Sequence, residues 1–150
     1  MGKVKSLREI SELVYECTDP RYYQIYFIVE NARTKLTKLL DEGSIDNAKK
    51  TLKDLLEDLK DFRERSNESK WKAILSKVID FVEDAIKNFE DNEDFFREVK
   101  ERGAWKPTWP DELVDAITMV IAPLEGAESY IIRRSSVDTI TCVLDKVCNH

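Results

Sequence analysis

The sequence has 150 residues, the length of one ordinary domain, and is long enough to bury a substantial core. Charged residues make up 36% of it, whereas glycine and proline number four each, a composition that favours helices. The net charge of −6 argues against a protein that coats nucleic acid nonspecifically, although it leaves room for a local basic face. Many Lys and Glu residues with a single Gln are a tendency of hyperthermophilic proteins, so a thermophilic source is one alternative.

The cysteines and the most apolar segments indicate the cellular location of the protein. Cys17, Cys142 and Cys148 are widely spaced and include no Cys-x-x-Cys pair, so they suggest neither a secreted disulfide scaffold nor a zinc site. We expect intracellular free thiols, with one disulfide between Cys17 and a C-terminal cysteine as the alternative. Residues 1–5 precede a charged amphipathic segment, and the most apolar window, 113–124, is too short to span a bilayer. We therefore expect a soluble, cytoplasmic protein with no membrane contact.

The first two predicted helices have clear boundary signals. Ser6 stands three residues before Glu9, which fits a capping box at the start of the first helix. The second helix is predicted from Pro20 to Asp41, with Gly43 just past its end. One face of the first helix is apolar and contains Leu7, Ile10, Leu13, Val14 and Cys17.

Residues 22–29 of the second helix are apolar almost all round. A helix of this kind must be covered on every side, so we expect these residues to be enclosed by other helices. The functional alternative is a subunit interface, and a β-strand is a lesser alternative because the residues are aromatic and β-branched. The interface candidates are Tyr22, Tyr23, Tyr26 and Phe27.

The middle of the chain predicts an αα-hairpin. Apolar residues from Ile45 to Phe62 repeat at alternate steps of three and four, which is the seam of an antiparallel bundle. A broader apolar stripe from Trp71 to Phe89 predicts a central helix that is buried on more than one side. The polar run 64–68 breaks the phase between them and predicts a turn. We expect the bundle to be built on this hairpin, residues 45–89, with one kinked rod as the alternative.

Beyond the hairpin the pattern is interrupted twice. Asp91-Asn92 predicts the start of a separate short helix, which Gly103 would end. The segment 105–110 is predicted to be extended, because each of its two prolines disfavours helix at the preceding residue. Its two tryptophans should close one end of the core, with a docking or stacking surface as the alternative. Residues 103–110 are also a candidate sub-boundary within a single helical domain of residues 1–150.

The C-terminal third is strongly apolar. Pro123 and Gly126 are predicted to end or kink one helix, and Ser135 or Ser136 to begin the last one. One side of that last helix contains Val137, Ile140, Val143, Leu144 and Val147. Residues 127–148 would also suit a β-hairpin. The sequence as a whole predicts an all-α protein, an antiparallel helical bundle of five to seven helices.

The residues for several common chemistries are missing. The only histidine is His150, so a Ser-His or Cys-His pair cannot form within one chain. The four glycines are isolated, so there is no phosphate-binding loop. Carboxylates stand among lysines without the spacing of metal ligands. We therefore expect no catalytic residue, no metal, no cofactor and no small-molecule substrate.

Two groups of basic residues are candidates for nucleic-acid contact, because basic residues interleaved with aromatic ones can bind a single-stranded backbone and stack its bases. Acidic residues are mixed through both groups, so a balanced, solvated surface is the main interpretation. The first group is Arg97, Lys100, Arg102, Trp105, Lys106 and Trp109, and the second is Arg63, Arg65, Lys70 and Lys72.

No motif assigns the chain to a family, and the functional hypothesis rests on size, class and missing chemistry. We expect a non-catalytic helical subunit that packs against protein subunits, of its own kind or another, in a larger assembly. A nucleoprotein complex is one such assembly, for example a CRISPR interference complex with its small helical subunit, in which local basic groups contact single-stranded nucleic acid. The alternative is a self-assembling homo-oligomer of an archaeal virus or plasmid without a nucleic-acid role. A metal-dependent hydrolase that uses surface carboxylates is a third hypothesis.

Overall fold

A computed structural model describes residues 6–105 and 110–148. These residues form five α-helices and no strand, so the prediction of an all-α protein is confirmed for them. Both β alternatives, at 22–29 and 127–148, are wrong because those residues are helical. The helices are α1 (Leu7–Cys17), α2 (Pro20–Asp41), α3 (Ile45–Arg65), α4 (Ser69–Glu101) and α5 (Asp111–Cys148).

Side-chain caps and one glycine determine the first boundaries. The Ser6 hydroxyl accepts a hydrogen bond from the Glu9 backbone N–H at 3.2 Å, as the capping-box spacing predicts. Asp19 caps α2 in the same way by accepting from the Arg21 N–H at 2.9 Å. Gly43 has a φ of +74°, a left-handed conformation that lets the chain turn from α2 into α3 without a Cβ clash.

The predicted break at Asp91-Asn92 does not occur, and α4 continues through it to Glu101. Asn92 donates its side-chain N–H to the Asn88 carbonyl, one turn back, at 2.8 Å instead of capping a new helix. Phe89 and Phe96 are both buried seven residues apart. Because the core continues past the polar pair, the buried stripe outweighs the local break signal.

The predicted helix end at Pro123 and Gly126 and the predicted helix start at Ser135 or Ser136 are also wrong, since α5 is one helix from Asp111 to Cys148. The alternative of a kink at Pro123 and Gly126 stays a prediction. Proline has no N–H, so the carbonyl of Met119, four residues earlier, loses its helical partner. The Asn88 side chain of α4 donates to that carbonyl at 2.8 Å. The group that Pro123 frees is therefore hydrogen-bonded by another helix.

Gly126 allows α4 and α5 to approach closely. A Cβ at this position would lie 3.0 Å from the Phe81 ring of α4. The buried face of α5 continues past the glycine at steps of four, three and four. Its residues there are Val120, Leu124, Ala127 and Ile131. Gly126 therefore serves helix packing here, not helix termination.

The core is centred on α4, which has more buried residues than any other described helix. α4 packs against both α3 and α5, and α2 packs against the same two helices. In the apolar stripe that predicted a central helix, Phe81 is partly buried. The other members are buried: Trp71, Ile74, Leu75, Val78, Ile79, Val82, Ala85, Ile86 and Phe89. At one end of this core the buried Trp105 indole donates to the Leu40 carbonyl at 2.7 Å and packs against Phe96.

α1 differs from the other helices because it contains no buried residue. It packs only against α5 among the described elements, and a disulfide joins Cys17 to Cys142. The expectation of three free thiols is therefore wrong for these two residues, and the alternative disulfide is the correct one. Cys148 is free and exposed. Because α1 has no buried residue, we expect the disulfide to be the main attachment of α1 to α5.

The central position of α4 predicts a large loss of stability in Val82→Asp. Val82 is fully buried, and an unpaired buried charge costs several kcal/mol, a large part of the stability of a small protein. We expect the variant to unfold or to lose more than about 3 kcal/mol in urea denaturation. The control is Ala73→Asp at an exposed position of the same helix. If Val82→Asp and Ala73→Asp unfolded at the same urea concentration, the central packing of α4 would be contradicted.

The lack of buried residues in α1 predicts a local effect of Cys17→Ser. Without the disulfide, α1 should detach from α5 and its amides should lose most of their hydrogen-exchange protection. Amides of α4 near Val82 should stay protected, because their burial does not depend on α1. Cys148→Ser, which removes the free thiol, is the control and should leave α1 protected. Unchanged protection of α1 in Cys17→Ser would show that packing alone holds it.

Candidate association surface

An apolar groove lies between α2 and α5 and encloses a cavity of about 260 Å³. Its floor includes the buried side chains of Tyr22 and Ile131, and Tyr23, Phe27 and Ile132 stand at its rim. The three rim side chains are 50–55% exposed. Tyr23 and Phe27 are four residues apart, so they share one face of α2. The groove therefore presents two aromatic rings and one aliphatic side chain to solvent.

The four predicted interface residues take different positions in this groove. Tyr22 is buried against Trp71, with 4.6 Å between the ring centroids. Tyr26 is partly buried and meets Phe27 edge to face at 5.6 Å. Tyr23 and Phe27 are the exposed pair. The apolar run thus divides between the core and the surface, and periodicity alone could not assign its members because no polar face marks the outside.

Asp138 links α5 to α2 and α4 below the groove. It accepts a hydrogen bond from the Tyr22 hydroxyl and forms an ion pair with Lys70 at 2.6 Å. Burial alone would raise the pKa of Asp138, but the Lys70 ammonium and the Tyr22 hydrogen bond outweigh burial, so this pKa lies below its usual value. Burial, followed by the hydrogen bond to Asp138, raises the pKa of Tyr22. Lys70 therefore has a structural partner inside the fold.

A second apolar area lies beyond the groove. We call α1 together with residues 132–148 of α5 the distal helix pair. None of its residues is buried, yet each helix has apolar residues at steps of three and four. Eight of them are 36–85% exposed: Leu7, Ile10, Val14, Tyr15, Ile132, Val137, Ile140 and Leu144. The apolar spacing was visible in the sequence, but it could not show that these faces lie outside the core.

The first basic group is engaged largely within the fold. Arg97 forms ion pairs with Asp46 and Glu93, each at 2.7 Å. These bonds raise the pKa of Arg97 and lower the pKa of both carboxyls. Lys100 donates to the Glu42 carbonyl at 3.3 Å. The remaining members are the buried Trp105, the exposed Arg102, and Lys106 and Trp109, which lie outside the described residues.

The second basic group surrounds the turn between α3 and α4. Arg63 donates to the Ser76 hydroxyl at 3.1 Å, and Arg65 donates to the Asp61 carbonyl at 3.4 Å. Lys72 is exposed. Within 6–105 and 110–148, Arg65, Lys72 and Arg102 form no ion pair with a carboxylate. The described members of the two groups lie near opposite ends of α4 and do not form one basic face.

Other kinds of site are not seen in the part of the chain that the structure describes. No three His, Cys, Asp or Glu side chains there come together in a group that could hold a metal ion. No described helix combines the length and the apolar character needed to cross a membrane. Comparison with known proteins gave no match: no family model, no curated protein and no solved structure matches this chain.

The contact between Tyr22 and Asp138 predicts that Tyr22→Phe weakens folding. The change removes one hydrogen bond to a charged group, so we expect a loss of about 1.5–3 kcal/mol at neutral pH. Because the pKa of Asp138 is lowered in the fold, its contribution is present above the unfolded pKa and is lost as the pH falls through the folded pKa. The difference from wild type should therefore shrink below about pH 4.

Urea denaturation of wild type and Tyr22→Phe between pH 7 and pH 3 measures how the difference in their free energies of unfolding depends on pH. Tyr23→Phe is the matched control, since it removes the same hydroxyl from an exposed neighbour on α2. It should change the free energy of unfolding by less than about 0.5 kcal/mol. A loss in Tyr22→Phe that stays constant down to pH 3 would show that Asp138 is not the group concerned.

Proposed function

We propose that this protein is a non-catalytic helical subunit that works by packing against other protein subunits. The contact would be made by the association surface, which we define as the groove rim (Tyr23, Phe27 and Ile132) and the distal helix pair. The observation that carries the proposal is the set of half-exposed aromatic and aliphatic side chains on this surface. Monomeric soluble proteins rarely expose a large contiguous apolar area, and such areas mark interaction sites.

The chemistry of the groove supports a protein partner. Aromatic residues are enriched in the cores of protein interfaces, where rings such as those of Tyr23 and Phe27 act as anchors. The cavity of about 260 Å³ lies just below the range of about 300–1,000 Å³ usual for small-molecule sites. Its lining has few polar groups, among them the hydroxyls of Ser135 and Ser136. This composition suits apolar packing.

The kind of assembly stays a prediction. Contact with single-stranded nucleic acid, as in a nucleoprotein complex, would depend mainly on Arg65, Lys72 and Arg102, which have no ion-pair partner in the described ranges. A homo-oligomer without nucleic acid is the alternative. A thermophilic source and a cytoplasmic location also stay predictions. We further propose that the α3–α4 hairpin is the unit on which the bundle assembles, since α4 packs against both α3 and α5.

The proposal predicts that Phe27→Asp prevents association and leaves the fold intact. Phe27 is 52% exposed, so a charge there stays hydrated in the free protein but would be desolvated in an interface. We would purify the tagged protein at mild salt from cells of its own source and identify the proteins that copurify in stoichiometric amounts. We expect Phe27→Asp to retain less than about a tenth of these partners, a loss of about 1.4 kcal/mol or more.

Met119→Asp is the matched control. Met119 is 53% exposed and lies on the N-terminal half of α5, outside the association surface. This variant should retain all partners, and circular dichroism should show that both variants keep the wild-type melting temperature within a few degrees. Treatment of the eluate with nuclease tests the nucleic-acid prediction in the same experiment. Equal retention of partners by Phe27→Asp and Met119→Asp would contradict the proposed function.

A further inference from the structure

α1 is attached at the surface of the fold. Among the described elements it packs only against α5, and Leu13 and Cys17 are its only partly buried residues. Glu16 of α1 pairs with Lys146 of α5 at 3.6 Å, but these side chains are 58% and 43% exposed, and ion pairs so exposed add little stability. The disulfide from Cys17 to Cys142 is the covalent link between the two helices.

α1 is also too short to be stable alone. It has 11 residues, and isolated helices shorter than about 12–15 residues are marginal in water. Only Thr18 and Asp19 separate it from α2, and Asp19 belongs to α2 because its carboxylate caps that helix and pairs with Arg21. We therefore expect α1 to pivot at Thr18 and to lose its helical structure when the disulfide is broken.

The two cysteines would stay near each other after the bond is broken. Cys17 is three residues from Pro20, where α2 begins, so the Cα atoms of these residues cannot be more than about 11 Å apart. Cys142 lies one turn beyond Asp138, which hydrogen bonds and ion pairs join to α2 and α4. Two thiols confined in this way have an effective concentration of about 1 mM or more. The disulfide can therefore form again within the folded protein.

The disulfide lies where a reductant can reach it. Cys17 and Cys142 are only partly buried, and their chain neighbours Glu16 and Thr141 are exposed. The distal helix pair contains no buried residue, so the bond lies outside the apolar core. Exposed disulfides are the labile and regulatory ones, whereas structural disulfides resist reduction.

We propose that the Cys17–Cys142 disulfide is a redox latch that controls the association surface. In the oxidised state α1 is docked on α5 and adds its exposed apolar residues, among them Leu7 and Val14, to that surface. In the reduced state α1 is released, and the groove rim and the end of α5 remain for a partner. The proposal rests on the proposed function and adds its regulation.

Reduction of the latch is a two-electron exchange with a dithiol. One thiolate of the dithiol attacks a sulfur of the latch, forms a mixed disulfide and releases the other cysteine as a thiolate, which takes up a proton. The second thiol of the reagent then attacks the mixed disulfide and releases the second cysteine. Two electrons and two protons pass to the cysteines, and the dithiol becomes a disulfide. An excess of a small disulfide reverses both steps.

Hydrogen exchange of the full chain with and without dithiothreitol tests the latch. The oxidised protein should have one thiol that reacts with maleimide, Cys148, and the reduced protein should have three. Reduction should lower the protection of α1 amides at least about tenfold and leave the amides near Val82 protected. Replacement of dithiothreitol by oxidised glutathione should restore the protection of α1.

Two variants are the controls for this measurement. In Cys17→Ser, α1 should be unprotected with or without dithiothreitol, whereas Cys148→Ser should respond to the reductant as wild type does. Three results would overturn the latch. They are a disulfide that dithiothreitol does not reduce in the folded protein, an α1 that stays protected after reduction, and a loss of protection that includes Val82 or that oxidation does not reverse.

The copurification experiment, repeated with a dithiothreitol wash, tests the control of association. Reduced wild type should retain at least about fivefold less of the partners than oxidised wild type. Cys17→Ser should already be at the reduced level without the reagent, and the wash should not lower its retention further. This variant shows that the reagent acts through the latch and not on the partners.

The outcomes separate this proposal from the proposed function. If reduction releases α1 but partner retention does not fall, the latch is overturned as the control of association. The proposed function still stands in that case if Phe27→Asp loses the partners that Met119→Asp retains. If Phe27→Asp and Met119→Asp retain partners equally, the proposed function fails, and control of association by the latch fails with it.

Discussion

Two-sided burial of α4 is the constraint on which the rest of this fold depends. A helix that is apolar on more than one side must have a neighbour on each, and α4 has α3 on one side and α5 on another. The buried residues of α4 extend from Trp71 to Val99. α5 continues to Cys148, but its last buried residue is Ile131. The end of α5 therefore extends beyond the core, and α1 and the association surface lie at this end.

Sequence signals predicted the fold well where the local chemistry and the core agreed. The bounds of α2 and the polar turn before α4 coincide with places where the buried stripe stops, and the Ser6 cap marks the start of α1. The predicted helix boundaries at Asn92 and Pro123 were wrong, because the buried stripe continues through both positions. There the polar groups find partners that sequence cannot show, such as the Met119 carbonyl that accepts from Asn88 of another helix. A break signal ends a helix only when the core also ends there.

The candidate site was predictable only in part, for the same reason. The aromatic run of α2 indicated an interface, but the division between the buried Tyr22 and the exposed Phe27 depends on where α4 and α5 lie. Some of the basic residues that were candidates for nucleic-acid contact form ion pairs within the fold with residues distant in sequence, as Arg97 does with Asp46. The sequence alone could not show these ion pairs. The prediction of one domain with a sub-boundary at 103–110 stays a prediction. Its middle residues, 106–109, lie outside the described ranges.

The disulfide has a consequence for the topology of the chain. The sulfur atoms of Cys17 and Cys142 join residues that are 125 positions apart, so α2, α3, α4 and most of α5 lie within one covalent ring. A ring of this size cannot extend fully when it unfolds, which keeps the denatured chain compact and limits its conformational entropy. A single cut in any loop of the ring, for example at Ser66-Asn67, would open the ring but leave the two fragments covalently joined. Under oxidising conditions residues 17–142 therefore have the connectivity of a circular protein.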